Sequence, residues 1–165
     1  MKLFLAILSG IIVGGAAGLG IFYHHEVTNF RVAAWKYPPV IVDCTFGALQ
    51  EKRINDAVEY WNNFNHKVGF VEMNPSSSVC MNDQIHGFII IKNAELEWPT
   101  IGKTHRSGSR VGIIDSALIQ LSIGDANLPK LLEHELGHAF GYGHLDIDEH
   151  IMNSNYDYSG YDFYD

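Results

Sequence analysis

The sequence predicts an α+β domain behind an N-terminal hydrophobic segment. Three observations carry that expectation. Runs rich in β-branched and apolar residues alternate with two stretches of helical periodicity, in the order strand, helix, strands, helix. The second helical stretch bears histidines four residues apart. A length of 165 residues with 47% hydrophobic content supports one buried core and bounds the chain to one domain with a short appendage. The formal charge is −8 and no basic stripe is present, which argues against nucleic acid as a partner.

Leu3 to Tyr23 is apolar apart from Ser9 and carries no charge, with Lys2 ahead of it. Residues 1–23 therefore read as a signal peptide or a membrane anchor. Gly15-Ala16-Ala17-Gly18 offers a cut site. Left uncut, residues 3–23 are long enough to cross a hydrocarbon layer of about 30 Å, so the membrane becomes a partner. Gly10, Gly14 and Gly18 recur every four residues. Close helix approach and mere filling by small residues both account for them. Either reading exports the rest if Lys2 stays inside, giving a secreted or membrane-anchored protein with its domain outside the cytoplasm. Arg31 and Lys36 leave the inverted topology open. Export permits a Cys44–Cys80 disulfide, with a stabilisation of about 3–4 kcal/mol for a loop of this length.

His24-His25-Glu26 reads as a polar flank to the apolar run. Residues 24–36 form a linker or leading strand, and the domain proper spans 37–156. After Pro38-Pro39, Val40 to Cys44 reads as a strand. Thr45 is a candidate cap. Ile54, Ala57, Val58 and Trp61 then fall at helical spacing, predicting a helix over about 47–64 whose Trp61 side packs on a sheet. Val68 to Met73 is the second strand, and Asn74-Pro75-Ser76-Ser77-Ser78 a turn or loop. Ile85 to Lys92, with its Gly-Phe-Ile-Ile-Ile run, is a buried third strand. Thr100 to His105 reads as a short exposed strand. Arg110 to Ser116 is another, with Leu121 as its furthest reach. Asp125 or Asn127 is expected to cap the last helix, with Pro129 in its first turn.

The stretch from Glu133 to Met152 concentrates the chemistry. His134, Glu135 and His138 form H-E-x-x-H, which Gly141 and His144 extend to H-E-x-x-H-x-x-G-x-x-H. Met152 follows eight residues after His144. Residues four apart share a helix face, so His134 and His138 can address one ion. Neutral imidazoles at that spacing suit zinc at about 2.0–2.1 Å. Glu135 sits about 100° further round the helix, so it reaches a water on the metal rather than the metal. Gly141 can adopt the left-handed conformation that ends a helix. The chain then turns back, and His144 supplies a third nitrogen. Three protein ligands leave one position for water, the arrangement of a catalytic rather than a structural zinc. A surface helix that happens to carry three histidines is the competing reading, and it explains neither Gly141 nor Met152. No C-x-x-C occurs, so a cysteine zinc site is not expected.

In these positions the chain resembles the metzincin clan of zinc endopeptidases. H-E-L-G-H-A-F-G-Y-G-H is most similar to the matrixins. The resemblance is close over 131–152 and looser over the rest of 35–156. It implies a metzincin-like (zincin) fold, a twisted mixed sheet of about five strands with a backing helix and an active-site helix. It implies that Met152 underlies the site as a hydrophobic floor without being a ligand. It also implies that Ile101, Gly102, Lys103 and Thr104, with His105, form the edge strand that pairs with an extended peptide. The implied cofactor is one catalytic zinc ion. Calcium stays open, but no convincing structural zinc or calcium set is present: the spacing of His86, His105 and Asp115 does not match the family's pattern, and all three read as ordinary polar positions. His150 is expected at the core or rim, not as a ligand.

The chain departs from the matrixin pattern in further ways. Only 13 residues follow Met152, so the usual third helix has no room. No inhibitory cysteine segment precedes residue 35. Where some metzincins place a tyrosine, two residues after the methionine, this chain has Ser154. Residues 157–165 are an acidic aromatic tail, for which a disordered end is the default expectation and covering the cleft or binding a partner are the alternatives.

Two function classes follow as expectations. The first is a zinc-dependent endopeptidase acting on a peptide or protein substrate. There the metal lowers the pKa of its water towards ~7, and Glu135 takes the proton as general base. The second is a non-enzymatic zinc-binding assembly module at a membrane or particle surface, motivated by the short lower half and the tail. Glu135 argues against it, since a structural zinc needs no base beside its ligands. A hydrolase of non-peptide amides is a third reading.

Overall fold

Continuous apolar runs of β-branched residues pair side by side here, as strands buried on both faces do. The computed structural model describes residues 31–163, and the unit treated below begins at Val32. The hydrophobic segment at 1–23, and with it the choice between signal peptide and anchor, lies outside the described residues. Among the described residues no helix is long and apolar enough to cross a membrane. In order, the elements are β1 (Ala34–Trp35), β2 (Val40–Asp43), α1 (Glu51–Asn63), β3 (Val71–Glu72), α2 (Ser77–Cys80) and β4 (Phe88–Ala94). β5 (Gly102–Ser107), β6 (Ile113–Ile114), β7 (Ser116–Ser122), α3 (Leu131–Ala139) and a 3-10 turn (Tyr156–Tyr158) follow.

This is a mixed α/β fold built on a five-stranded mixed sheet of order β3-β2-β4-β7-β5. The first four strands run parallel, and β5 closes one edge antiparallel to β7. Ile41, Ile89 and Ala117 stand in one row across the sheet, Val42, Ile90 and Leu118 in the next. Side chains alternate between faces along each strand, so the rows take opposite sides. The Val42 face carries Cys44, Ile90, Leu118 and Cys80, with Val79 and Phe88 against them. Cys44 and Cys80 are disulfide-bonded there, tying α2 to the end of β2. The other face holds Ile89, Ile91, Ile119 and Leu121, none with exposed surface. It bears α3, which packs on β5 and β7 and against α1. A second, two-stranded parallel ladder joins β1 to β6.

Several boundaries differ from the sequence expectation. The helix expected over 47–64 begins at Glu51, because Thr45 closes a turn of its own by accepting from the Leu49 N–H. The Val68–Met73 strand pairs only at Val71–Glu72, and the loop after it contains α2. The strand expected at Ile85–Lys92 pairs from Phe88 to Ala94. The strand expected from Arg110 breaks at Asp115, whose N–H leaves the ladder to bond Ser107 O (2.8 Å). Neither Asp125 nor Asn127 caps α3, which starts from Lys130 in a left-handed conformation. Asn127 serves α1 instead. It accepts from the Gln50 N–H and donates to Ala48 O, both at 2.8 Å.

Both ends of the expected 37–156 domain also move. Ahead of residue 37, β1 pairs with β6 and the Val32 N–H donates to Gly141 O (2.9 Å). Beyond 156, the tail expected to be disordered is packed as far as it is described. Phe163 is buried among Trp61, Phe64 and Tyr142, with ring centroids 4.9, 4.7 and 5.0 Å away. Burying one aromatic ring against three others outweighs the ordering of a few polar residues.

Candidate metal centre and cleft

α3 forms where Leu132, Leu136, Ala139 and Phe140 present an apolar side to the sheet and to α1. That leaves His134 and His138, one turn apart, half-buried on the remaining face. The helix stops because Gly141 takes φ 106°, inside the left-handed region open to glycine. The Gly141 N–H then bonds His138 O (2.9 Å) and the Tyr142 N–H bonds Gly137 O (3.0 Å), the paired closure of a Schellman cap. A side chain at Gly141 would also run into Ala33 O. The reversed chain brings His144 back over the helix.

The ligand nitrogens of His134, His138 and His144 lie within 4.8 Å of one another, and His138 Nε2 is 3.1 Å from His144 Nε2. Tetrahedral ligands about 2.1 Å from an ion stand about 3.4 Å apart, so this set fits a metal ion. The ring partners fit as well. His134 Nδ1 donates to Ile151 O (2.8 Å) and His138 Nδ1 donates to Tyr142 O (2.9 Å). With the proton held on Nδ1, each Nε2 keeps a lone pair for the cluster. Burial pushes the His134 pKa down to about 3 and that of His138 to about 4, so both stay neutral.

Glu135 lies outside the ligand set but in the same cleft. Burial raises its pKa to about 7, partly offset by the Thr104 hydroxyl, 2.5 Å from Oε2. Thr104 Oγ1 is also 3.1 Å from the Glu135 carbonyl oxygen. Gly102 is required beside it, since a Cβ there would overlap the Glu135 carboxyl group. Of the four residues expected on the edge strand, Gly102, Lys103 and Thr104 lie in β5. Ile101 precedes the strand, with its carbonyl bound by the Ser122 N–H (2.9 Å). Met152 is buried beneath α3, so close to Gly137 that a Cβ there would meet its sulfur and the Trp61 ring. The Leu145 N–H donates to Met152 O (2.9 Å), which ties the chain after His144 to that floor.

The cleft measures about 890 Å³. One wall is Thr100 to Thr104 with Arg106. The other is Asn153 to Asp157 with Ser159. Ser154, two residues after Met152, bonds Asp146 Oδ1 through its hydroxyl (2.5 Å). Tyr156 lines the cleft, but its hydroxyl donates to Pro129 O (2.8 Å). His105, His86 and Asp115 stand outside the cluster, and His86 Nδ1 is 3.8 Å from Asp115 Oδ1.

Sequence reasoning expected His150 at the core or rim, and it lies there, but the bonds by which it and its neighbours act as supports were not foreseen. His150 is buried; its Nδ1 accepts from the Met152 N–H (3.0 Å) and its Nε2 donates to Phe163 O (2.8 Å). The Trp35 indole donates to Ala139 O (2.8 Å) at the end of α3. Glu133 is buried against Arg53, whose Nη2 reaches both carboxylate oxygens at 2.9 and 2.7 Å. Glu133 did carry a signal, because it shares a helix face with Leu136 and Phe140. A carboxylate on an apolar stripe calls for a buried cation. Comparison with known proteins finds no matching family and no matching curated protein.

Proposed function

We propose that this chain is a zinc-dependent endopeptidase with a metzincin-like catalytic domain. The observation that carries the reading is one cleft holding three imidazoles whose ring nitrogens lie within 4.8 Å of one another and, beside them, a carboxylate outside that cluster. His134, His138 and His144 are the residues that would hold the ion. Zinc there, when bound, supplies a Lewis acid that acidifies water and polarises a carbonyl.

The chain's own groups do the rest. Glu135 accepts a proton from the attacking water and returns it to the leaving amine. Its raised pKa suits that exchange near neutral pH. Thr104 and Gly102 hold its carboxyl group against β5. The outer edge of β5 faces away from β7, so its main-chain groups are placed to bind an extended substrate by strand addition. An export signal and a place outside the cytoplasm remain part of the proposal, and the Cys44–Cys80 bond is consistent with them.

The test is cleavage of an unfolded casein-type protein by wild type and Glu135→Ala, with bound zinc measured in both. The expected outcome is equal zinc content and a loss of at least ~100-fold in cleavage by the variant. Zinc in both with no cleavage by either would favour a metal-binding assembly module instead.

A further inference from the structure

The peptidase reading leaves the substrate class unassigned, and the inference here rests on that reading. Register puts Gly102, Thr104 and Arg106 on one face of β5, opposite Leu121, Ile119 and Ala117 of β7. This is the face that meets α3, because Thr104 touches Glu135. Gly102 and Thr104 are both occupied by Glu135. Arg106 stands about 7 Å further along the strand. It is exposed, lines the cleft, and its positive charge acts on His138. Its neighbour across the ladder is Ala117, which offers no acceptor side chain. Among the described residues no carboxylate pairs with it.

A guanidinium with no counter-ion among the described residues therefore flanks the histidine cluster of a chain whose net charge is −8. Its planar fork matches a carboxylate through two parallel hydrogen bonds. A peptide laid along the outer edge of β5 brings a side chain opposite Arg106 within about three positions of the bond presented to Glu135. We propose that Arg106 is a specificity-determining residue that selects peptides carrying aspartate or glutamate close to the scissile bond. Lys103, also on this wall of the cleft, adds positive potential but is an ammonium on a flexible stem. Arg106 sets the position, and Lys103 only the sign of the field.

The experiment uses the zinc-loaded full chain and short fluorescent peptides in which Glu, Gln or Lys is scanned through every position. Cleavage is compared for wild type, Arg106→Ala and Arg106→Glu. Binding of the same peptides is measured by anisotropy on Glu135→Ala, with and without Arg106→Glu. Wild type should prefer Glu over Gln by about tenfold at one position near the cut. Arg106→Ala should erase that preference, and Arg106→Glu should move it to Lys at the same position. Equal cleavage of the three peptides by wild type, or an acid preference surviving Arg106→Glu, overturns the role of Arg106 and leaves the peptidase reading standing. Acid-selective binding that reverses with Arg106→Glu, without cleavage, keeps the recognition and removes the peptidase. Neither cleavage nor selective binding overturns both.

Discussion

Glu135 is the residue on which burial and chemistry act in opposite directions. Burial favours its neutral form and raises its pKa from 4.5 to about 7. In metal-free protein the folded chain therefore holds a proton that the unfolded chain has released, and stability falls as pH rises from about 4.5 to about 7. His134 and His138 act on the acid side. Their folded pKa values lie below the ordinary 6.5, so stability is lost as pH falls from 6.5 towards 4 and 3. Glu135→Gln removes the first effect and keeps the second. Urea midpoints of the metal-free proteins should coincide near pH 4.5 and favour the variant at pH 8, by on the order of 3 kcal/mol. Equal pH dependence in both proteins would show that Glu135 is not held in an apolar setting. Gly102→Ala asks about position instead of charge. Its added methyl displaces the Glu135 carboxyl group, so cleavage should fall by about tenfold or more while zinc content is unchanged.

At the scale of elements, α1 and α3 are joined through polar atoms set in an apolar seam. The Trp61 indole donates to Glu133 O (2.7 Å), and Arg53 holds the Glu133 carboxylate. Arg53→Met leaves that carboxylate buried and unpaired, which should cost about 3–5 kcal/mol in denaturant unfolding. Adding Glu133→Leu should recover most of the loss. If the double variant is no better than the single, the pair is not the source of the cost. The periodic parts of these helices were legible in the sequence. Ile54, Ala57 and Trp61, and then His134 with His138, fall at the spacing that helical geometry dictates. Their starts were not legible, because α1 is held back by a turn that Thr45 closes ahead of it and α3 begins without a side-chain cap. Asn127 has the chemistry of a local cap and spends it on Gln50 and Ala48. Asp115 sits in a run of strand-forming residues and interrupts it, because its carboxylate takes the Ser109 N–H.

Over the whole molecule, the histidine cluster and the buried Met152 could be read because their residues fall within twenty positions, where spacing reports geometry. The wall beyond Met152 could not be. Phe163 meets Trp61 102 residues away, and nothing in an alternation of Tyr, Asp and Gly announces that contact. Phe163→Ala should cost about 3–5 kcal/mol, seen as a lowered unfolding midpoint. A change within about 0.5 kcal/mol would mean that this segment is not part of the core. The same contact sets an order in time. Synthesis runs from the amino end, so His134, His138 and His144 leave the ribosome before Phe163 does. In that interval His150 lacks the Phe163 carbonyl that fixes its ring, and the ring in turn receives the Met152 N–H. Until then the three clustered imidazoles stand over an incomplete support. The Phe163 carbonyl thus bears on the floor of the cleft through His150, so a residue remote from the imidazoles in sequence helps to fix the surface beneath them.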